Sequence, residues 1–224
     1  MKRWLPVIAA GLIGLGCLGL AGWRAAEGWT PSRARYPFQG MDVRGGEGPF
    51  EWRQLRAAGA SFVYHVATEG TARDPGFEGD WDAIAEAGLG RGAVHVYSFC
   101  APAATQAAAF LALVPRSADA LPPALVIEFA PDCAARPDRA TLLAELRALL
   151  DAIEAHSGHP ALLRVSPEVE RFYQLTAALP RPIWTSAQFF APGLAPRPWR
   201  LWRASGFHRI EGAPAPVHWD VIAP

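Results

Sequence analysis

The sequence has almost no charge imbalance: Lys and Arg total 21 against 21 Asp and Glu, a formal net charge of +0. A chain so balanced offers no electrostatic footprint for nucleic acid or for an anionic membrane surface. Cysteine is scarce, with three in 224 residues, and no spacing of His and Cys matches a zinc site. No metal site is therefore expected. No internal repeat is visible, and a chain of this length holds one sizeable domain by default. Apolar residues are plentiful, and a hydrophobic fraction of 51% with nine Trp is ample for a core.

One long uncharged run stands at the start. Lys2 and Arg3 precede an apolar stretch from Trp4 to Trp23, the pattern of a secretion signal or of an uncleaved membrane anchor. Positive charge on the amino side sends the remainder across the membrane. The expectation is an exported protein, periplasmic or extracellular, tethered to the inner membrane by residues 4–23 if the segment is kept. Gly19-Leu20-Ala21 is a passable cleavage site. Cys17 lacks the leucine three places upstream that a lipoprotein site uses, so an inert apolar Cys17 is the better reading. Residues 1–23 are thus expected as signal or anchor. Residues 24–35, without apolar periodicity, are expected as a linker, and 36–224 as the domain.

Within that domain strand-like and helix-like segments alternate. Helices are predicted over 51–58, 77–87, 104–114 and 139–155; the last carries Leu142, Leu143, Leu146, Leu149, Leu150 and Ile153 on one face behind an Asp138 N-cap. Pro160 to Val165 reads as a strand, followed by a helix opening at Ser166-Pro167. Beyond Pro180 the pattern is of irregular strands at 182–190, 199–203 and 217–222. Repeated β-then-α units imply an α/β fold, a TIM-like (β/α) barrel of parallel strands. Cys100 and Cys133 each follow shortly after a strand end, and consecutive strands are usually neighbours. In an exported chain the pair reads as a disulfide, with two buried free thiols as the alternative.

Several polar residues sit in or just after the apolar runs: Asp42, Glu69, His95 and Glu128. A charge inside such a run costs roughly 2 kcal/mol or more unless it is paired or faces a wet cavity, and acids at strand ends suggest the mouth of a barrel. Glu128 has two readings, a site residue or a buried glutamate paired with an arginine. Asp42 likewise reads as a site carboxylate or as an Asp bonding loop amides. Glu69 reads as a loop anchor bordering the groove. His95 in mid-strand reads as a satisfied core histidine or as a proton-transfer group. Glu47, Asp74 and Asp80 read as solvated loop acids. Of the many Trp, Trp184 and Trp202 are the choices for stacking on sugar faces, since flat rings suit that contact and most Trp are simply core.

The blocks Gly40-Met41-Asp42-Val43, Phe62 through Gly70 with Ala-Thr-Glu-Gly, Gly88 to Tyr97, Leu121 to Glu128 and the closing Trp202 with Val217 to Ile222 resemble, in this order, glycoside hydrolase family 25. These are lysozymes that cut the muramic-acid glycosidic bond of peptidoglycan. The resemblance implies an irregular barrel of several βα units followed by a few C-terminal antiparallel strands, with a groove at the carboxyl ends of the strands. Peptidoglycan glycan strands would be the partner, and no protein partner is inferable. It places Asp42 on the family's first-strand aspartate and Glu128 on the glutamate of Asp-x-Glu, the general acid, with His95, Tyr97 and Glu69 along the substrate groove. Val126 stands where that motif has its aspartate, Val94 where a tyrosine precedes the histidine, and His218 where a C-terminal aspartate is found. Asp220 is a shifted substitute, since i and i+2 share a strand face. Such a site implies a glycosidase, with Glu128 protonating the leaving oxygen and Asp42 assisting. Two alternatives stand beside it: a peptidoglycan-binding module on the same fold that has lost the reaction, and a structural periplasmic domain acting through partner contacts.

Overall fold

The computed structural model describes residues 5–193 and 198–224, apart from the side chains of 5–10. The Lys2-Arg3 start of the predicted export signal lies outside the described residues. The chain forms α1 (Leu5–Glu27), β1 (Gln39–Val43), a 3₁₀ turn (Gly45–Glu47), α2 (Trp52–Ala57), β2 (Phe62–Glu69), β3 (Ala72–Arg73), α3 (Phe77–Glu86), β4 (Gly90–Tyr97), α4 (Ala103–Leu113) and β5 (Ala124–Ile127). It continues through α5 (Arg139–Ser157), β6 (Leu162–Val165), α6 (Pro167–Tyr173), α7 (Leu175–Ala178), β7 (Ile183–Ser186), β8 (Trp199–His208) and β9 (Val217–Ile222).

The strands lie in the order β1-β9-β8-β7-β6-β5-β4-β2-β3, and a further β1–β2 pairing closes all but β3 into a barrel. From β1 through β8 the ring is parallel. At the C-terminal end β9 pairs antiparallel with both β8 and β1, so the parallel strands are followed by antiparallel pairing, as expected.

Alternation along each strand decides what enters the barrel. Phe62, Tyr64, Val66, Val94, Val96, Ala124, Val126, Leu162, Trp184 and Leu201 form the inner cluster. Two glycines make room for the large rings: a Cβ at Gly92 would lie 2.4 Å from the Tyr64 ring, and one at Gly40 would lie 2.1 Å from the Phe62 carbonyl oxygen. The opposite strand face meets the helices in a larger layer. There α5 buries Leu142, Leu143, Leu146, Leu149, Leu150 and Ile153, each contributing about 1.5–3 kcal/mol. The Asp138 carboxylate caps that helix by accepting from the amides of Ala140 and Thr141, and Ser166 caps α6 with Pro167 in its first turn.

A disulfide joins Cys100 to Cys133 with Cα atoms 5.9 Å apart, tying the loop after β4 to the loop after β5. Residues 24–35, expected as a linker, contact the domain. The first helix runs on to Glu27, which is buried, and the Glu27 carbonyl accepts from the amide of Arg209 and from the His208 ring, both at 2.9 Å. Trp23 stacks on Phe207 at 5.2 Å, and Gln39 donates to the carbonyls of Pro31 and Tyr36. The polar composition suggested a tether because these contacts are long-range and leave no periodic trace. Among the described residues no helix is long and apolar enough to cross a membrane, so the membrane tether rests on the sequence pattern alone.

Candidate active site

The carboxyl ends of the parallel strands open into two adjoining cavities. The inner one, about 150 Å³, is lined by residues that include Asp42, Arg44, Val126, Glu128, Arg164, Trp184, Arg203 and His218. The outer one, about 590 Å³, runs along β6 and β7 past Ser166, Glu170 and Thr176. Val126, Glu128, Arg164 and Trp184 border both. The outer cavity is within the size range of small-ligand sites, whereas the inner one accommodates only a substituent.

Glu128 is the first residue after β5, at the junction of the two cavities. Its side chain is 40% exposed and the nearest cation is Arg44, at 4.0 Å. The neighbours Val126, Ile127 and Phe129 form no apolar envelope around Glu128. Alternation sends Val126 into the barrel and Ile127 toward the helices, and Phe129 packs against the outer layer. Glu128 is also not a buried structural glutamate.

Asp42 is held differently. The Nη2 of Arg203 donates to both of its oxygens, and His218 Nδ1 lies 3.1 Å from Oδ1. Its side chain is 12% exposed. Burial by itself would lift this carboxyl, but Arg203, His218 and Arg164 together hold it well below the usual carboxylate range. Asp42 is therefore a fixed anion near neutral pH, bonded to side chains rather than to loop amides.

Asp220 lines neither of the two cavities. On antiparallel β9 it pairs with Gly40 whereas His218 pairs with Asp42, so it lies two residues deeper in the barrel. It is fully buried beneath Trp184, whose indole N–H donates to it at 2.9 Å. Burial first, then the Asp42 charge, raises its carboxyl well above the ordinary value. Its Oδ2 has no partner among the described residues, which fits a carboxyl that keeps its proton, because an orphaned buried charge would cost several kcal/mol.

The remaining predicted residues separate by strand face. Trp184 reaches the groove, with Arg164 5.3 Å and Arg203 5.6 Å from its ring and the Tyr64 ring 5.4 Å away. Trp202, one residue from inward-facing Arg203, points outward, donates to the Ala187 carbonyl and packs on Tyr36. His95 and Tyr97 alternate with inward Val94 and Val96 and so lie under the helices. His95 is buried between the Thr68 hydroxyl (2.7 Å) and the Gln106 carbonyl oxygen (3.1 Å), and burial pushes its ring down to about 4. Tyr97 donates to Glu145 on α5, and burial, then that carboxylate, raises its phenol. Neither touches the cavities. Glu69 sits at the rim, ion-paired with Arg44 at 2.7 Å.

The three acids read as solvated loop residues are not idle either, and Asp80 lies on α3. Asp74 accepts from the amides of Gly45 and Gly76, Asp80 bonds the His65 ring at 2.9 Å, and Glu47 lines the inner cavity. Sequence reasoning missed Arg164 and Arg203. Both carried the signal that singled out Glu128, a charge inside an apolar strand run: Leu162-Leu163-Arg164-Val165 and Leu201-Trp202-Arg203-Ala204.

Comparison with known proteins agrees with this architecture. The profile described as Glycosyl hydrolases family 25 matches residues 41–186. A structure of a family 25 glycosyl hydrolase from Bacillus anthracis superposes with a TM-score of 0.79 at 26% identity, covering 88% of this chain and 93% of that one. A bacterial lysozyme from Streptomyces coelicolor gives a TM-score of 0.75 at 24% identity over 84% of this chain and 92% of its own, a likeness of fold. The uncharacterized protein YegX of Escherichia coli O6:H1 is 28% identical over 197 residues, 84% of this chain and 71% of that relative. With the profile spanning more than half of its length and the barrel shared, this chain belongs to glycosyl hydrolase family 25.

Proposed function

We propose that the protein is an exported muramidase that cleaves the muramic-acid glycosidic bonds of peptidoglycan, with Glu128 as general acid and Asp42 assisting. The observation that carries the reading is the position of Glu128, a carboxyl at the junction of two cavities at the carboxyl end of a barrel strand, where active sites of such barrels lie. Bond cleavage needs a proton delivered to the leaving oxygen and a group that stabilises the cationic sugar or positions water. Glu128 supplies the proton. Asp42, kept ionised by its partners, orients a water or a substrate acetamido group from across the barrel mouth, and no cofactor takes part.

Residues 1–23 act in this reading as the export signal or anchor. A reporter fused after Pro224 is then active only outside the cytoplasm, and a cytoplasmic signal rejects export. Incubating the protein with purified peptidoglycan and assaying new reducing ends identifies the reaction: muramic acid at those ends supports the muramidase, and N-acetylglucosamine there excludes it.

One observation favours a second reading, a wall-binding module without turnover. Arg203 engages both oxygens of Asp42 and Val126 contributes no charge, so the carboxylate that would assist Glu128 is already tied to a cation. Sedimentation with insoluble peptidoglycan without new reducing ends would establish that reading.

A further inference from the structure

The cations of the groove are unevenly matched. Arg203 is paired with Asp42 and Arg44 with Glu69, and Asp220 is held toward its neutral form. Arg164 has no hydrogen bond or ion pair among the described residues. Its only close contact of this kind is the Trp184 face, 5.3 Å from the guanidinium carbon. Burial and then repulsion from Arg203 lower its affinity for its proton, against the opposing pull of Asp42, Asp220 and Glu128 at longer range, so the fold holds a cation whose N–H donors are not taken up by any carboxylate among the described residues. A guanidinium carries five N–H donors in a planar fork that matches a carboxylate, and this fork lines both cavities.

We propose that Arg164 is an anion-binding residue that receives the carboxylate of an acidic sugar. The inner cavity takes the carboxylate and the outer one the ring, while Trp184 fixes the plane of the guanidinium. This rests on the reading of the groove as a glycan site and names the class of glycan it selects, one bearing a free sugar carboxylate. In peptidoglycan the lactyl carboxyl of muramic acid is normally in amide linkage to the stem peptide. It is free only after an amide hydrolysis has removed the peptide, so such a reaction would precede this protein's action. A uronic acid offers the same chemistry from another source.

The test titrates the full chain with three monosaccharides, N-acetylmuramic acid, glucuronic acid and N-acetylglucosamine, following Trp fluorescence or heat. None of them contains a bond to cleave, so failure of the hydrolase reading leaves this outcome untouched. At least one acid should bind about 10-fold or more tighter than neutral N-acetylglucosamine, as a bidentate charged pair predicts, and which acid does so identifies the source. In Arg164→Met the preference should fall to about twofold or less. Because Arg164 makes no direct hydrogen bond or ion pair among the described residues, the melting temperature of Arg164→Met should stay close to wild type. Arg164→Lys should keep part of the preference while losing the fork. Equal binding of acidic and neutral sugars by the wild type overturns the proposal. So does an acid preference that survives in Arg164→Met, or a marked fall in that variant's melting temperature with binding unchanged.

Discussion

Replacing Arg203 by Met removes the cation that holds Asp42 while keeping most of the side-chain volume against Trp184. The carboxylate then keeps His218 as its one hydrogen-bond partner among the described side chains, 38% exposed, with Arg164 acting only at longer range, while Asp42 itself is 12% exposed. Breaking a buried pair by deleting one partner costs about 3–5 kcal/mol, because the surviving charge stays desolvated. For a chain of this size that corresponds to a melting-temperature fall on the order of 6–20 °C. The effect carries a pH signature. In the wild type the carboxyl of Asp42 is held low, so its stabilising contribution is fully present above the unfolded value of about 3.9 and is lost as pH falls through the lower folded value. Arg203→Met removes that contribution, so the deficit should be largest near pH 7 and shrink as pH drops below about 4. Denaturant unfolding of both proteins from pH 3 to pH 8 measures it. Adding Asp42→Asn should recover much of the loss, since the two residues are coupled. A deficit under about 1 kcal/mol at pH 7, or one independent of pH, would refute the buried-pair argument.

Two further outcomes follow from the same reasoning. Asp220 has its carboxyl raised by burial and by Asp42, so the folded state retains a proton that the unfolded chain loses above about pH 3.9; Asp220→Asn should stabilise the protein more at pH 7 than at pH 4, and equal effects at the two values in thermal unfolding would contradict this. His95 is held by Thr68 and Gln106 beneath the helices, so His95→Ala should cost about 1–3 kcal/mol from stranded polar partners while leaving KM for any substrate unchanged, as paired unfolding and kinetic measurements would show.

The barrel was legible in the sequence because its strands and helices differ in period, and because α5 and its Asp138 cap, the Ser166-Pro167 start and the two cysteines are local signals. Asp42 and Glu128 were legible as polar residues in or just after a strand run, and Trp184 as a flat ring suited to a sugar face. What stayed hidden depends on strand face. His95, Tyr97 and Trp202 differ by one position from groove-lining Val94, Val96 and Arg203, and a one-residue difference reverses the side of the barrel. The Arg203 and Asp42 pair is separated by 161 residues, and only the closure of β8, β9 and β1 into one ring brings it together. The docking of 24–35 was illegible for the same reason, since its partners lie at 207–209.

The central claim is that Glu128 delivers the proton, and Glu128→Gln tests it most directly because it keeps shape and hydrogen bonding while removing the acid. Release of reducing ends from purified peptidoglycan should fall by roughly 10²-fold or more in the variant, with sedimentation on insoluble peptidoglycan and melting temperature close to wild type. A variant that turns over peptidoglycan as fast as wild type, or a wild type with no turnover that binds the wall no differently from the variant, would contradict the claim and leave the wall-binding reading in its place.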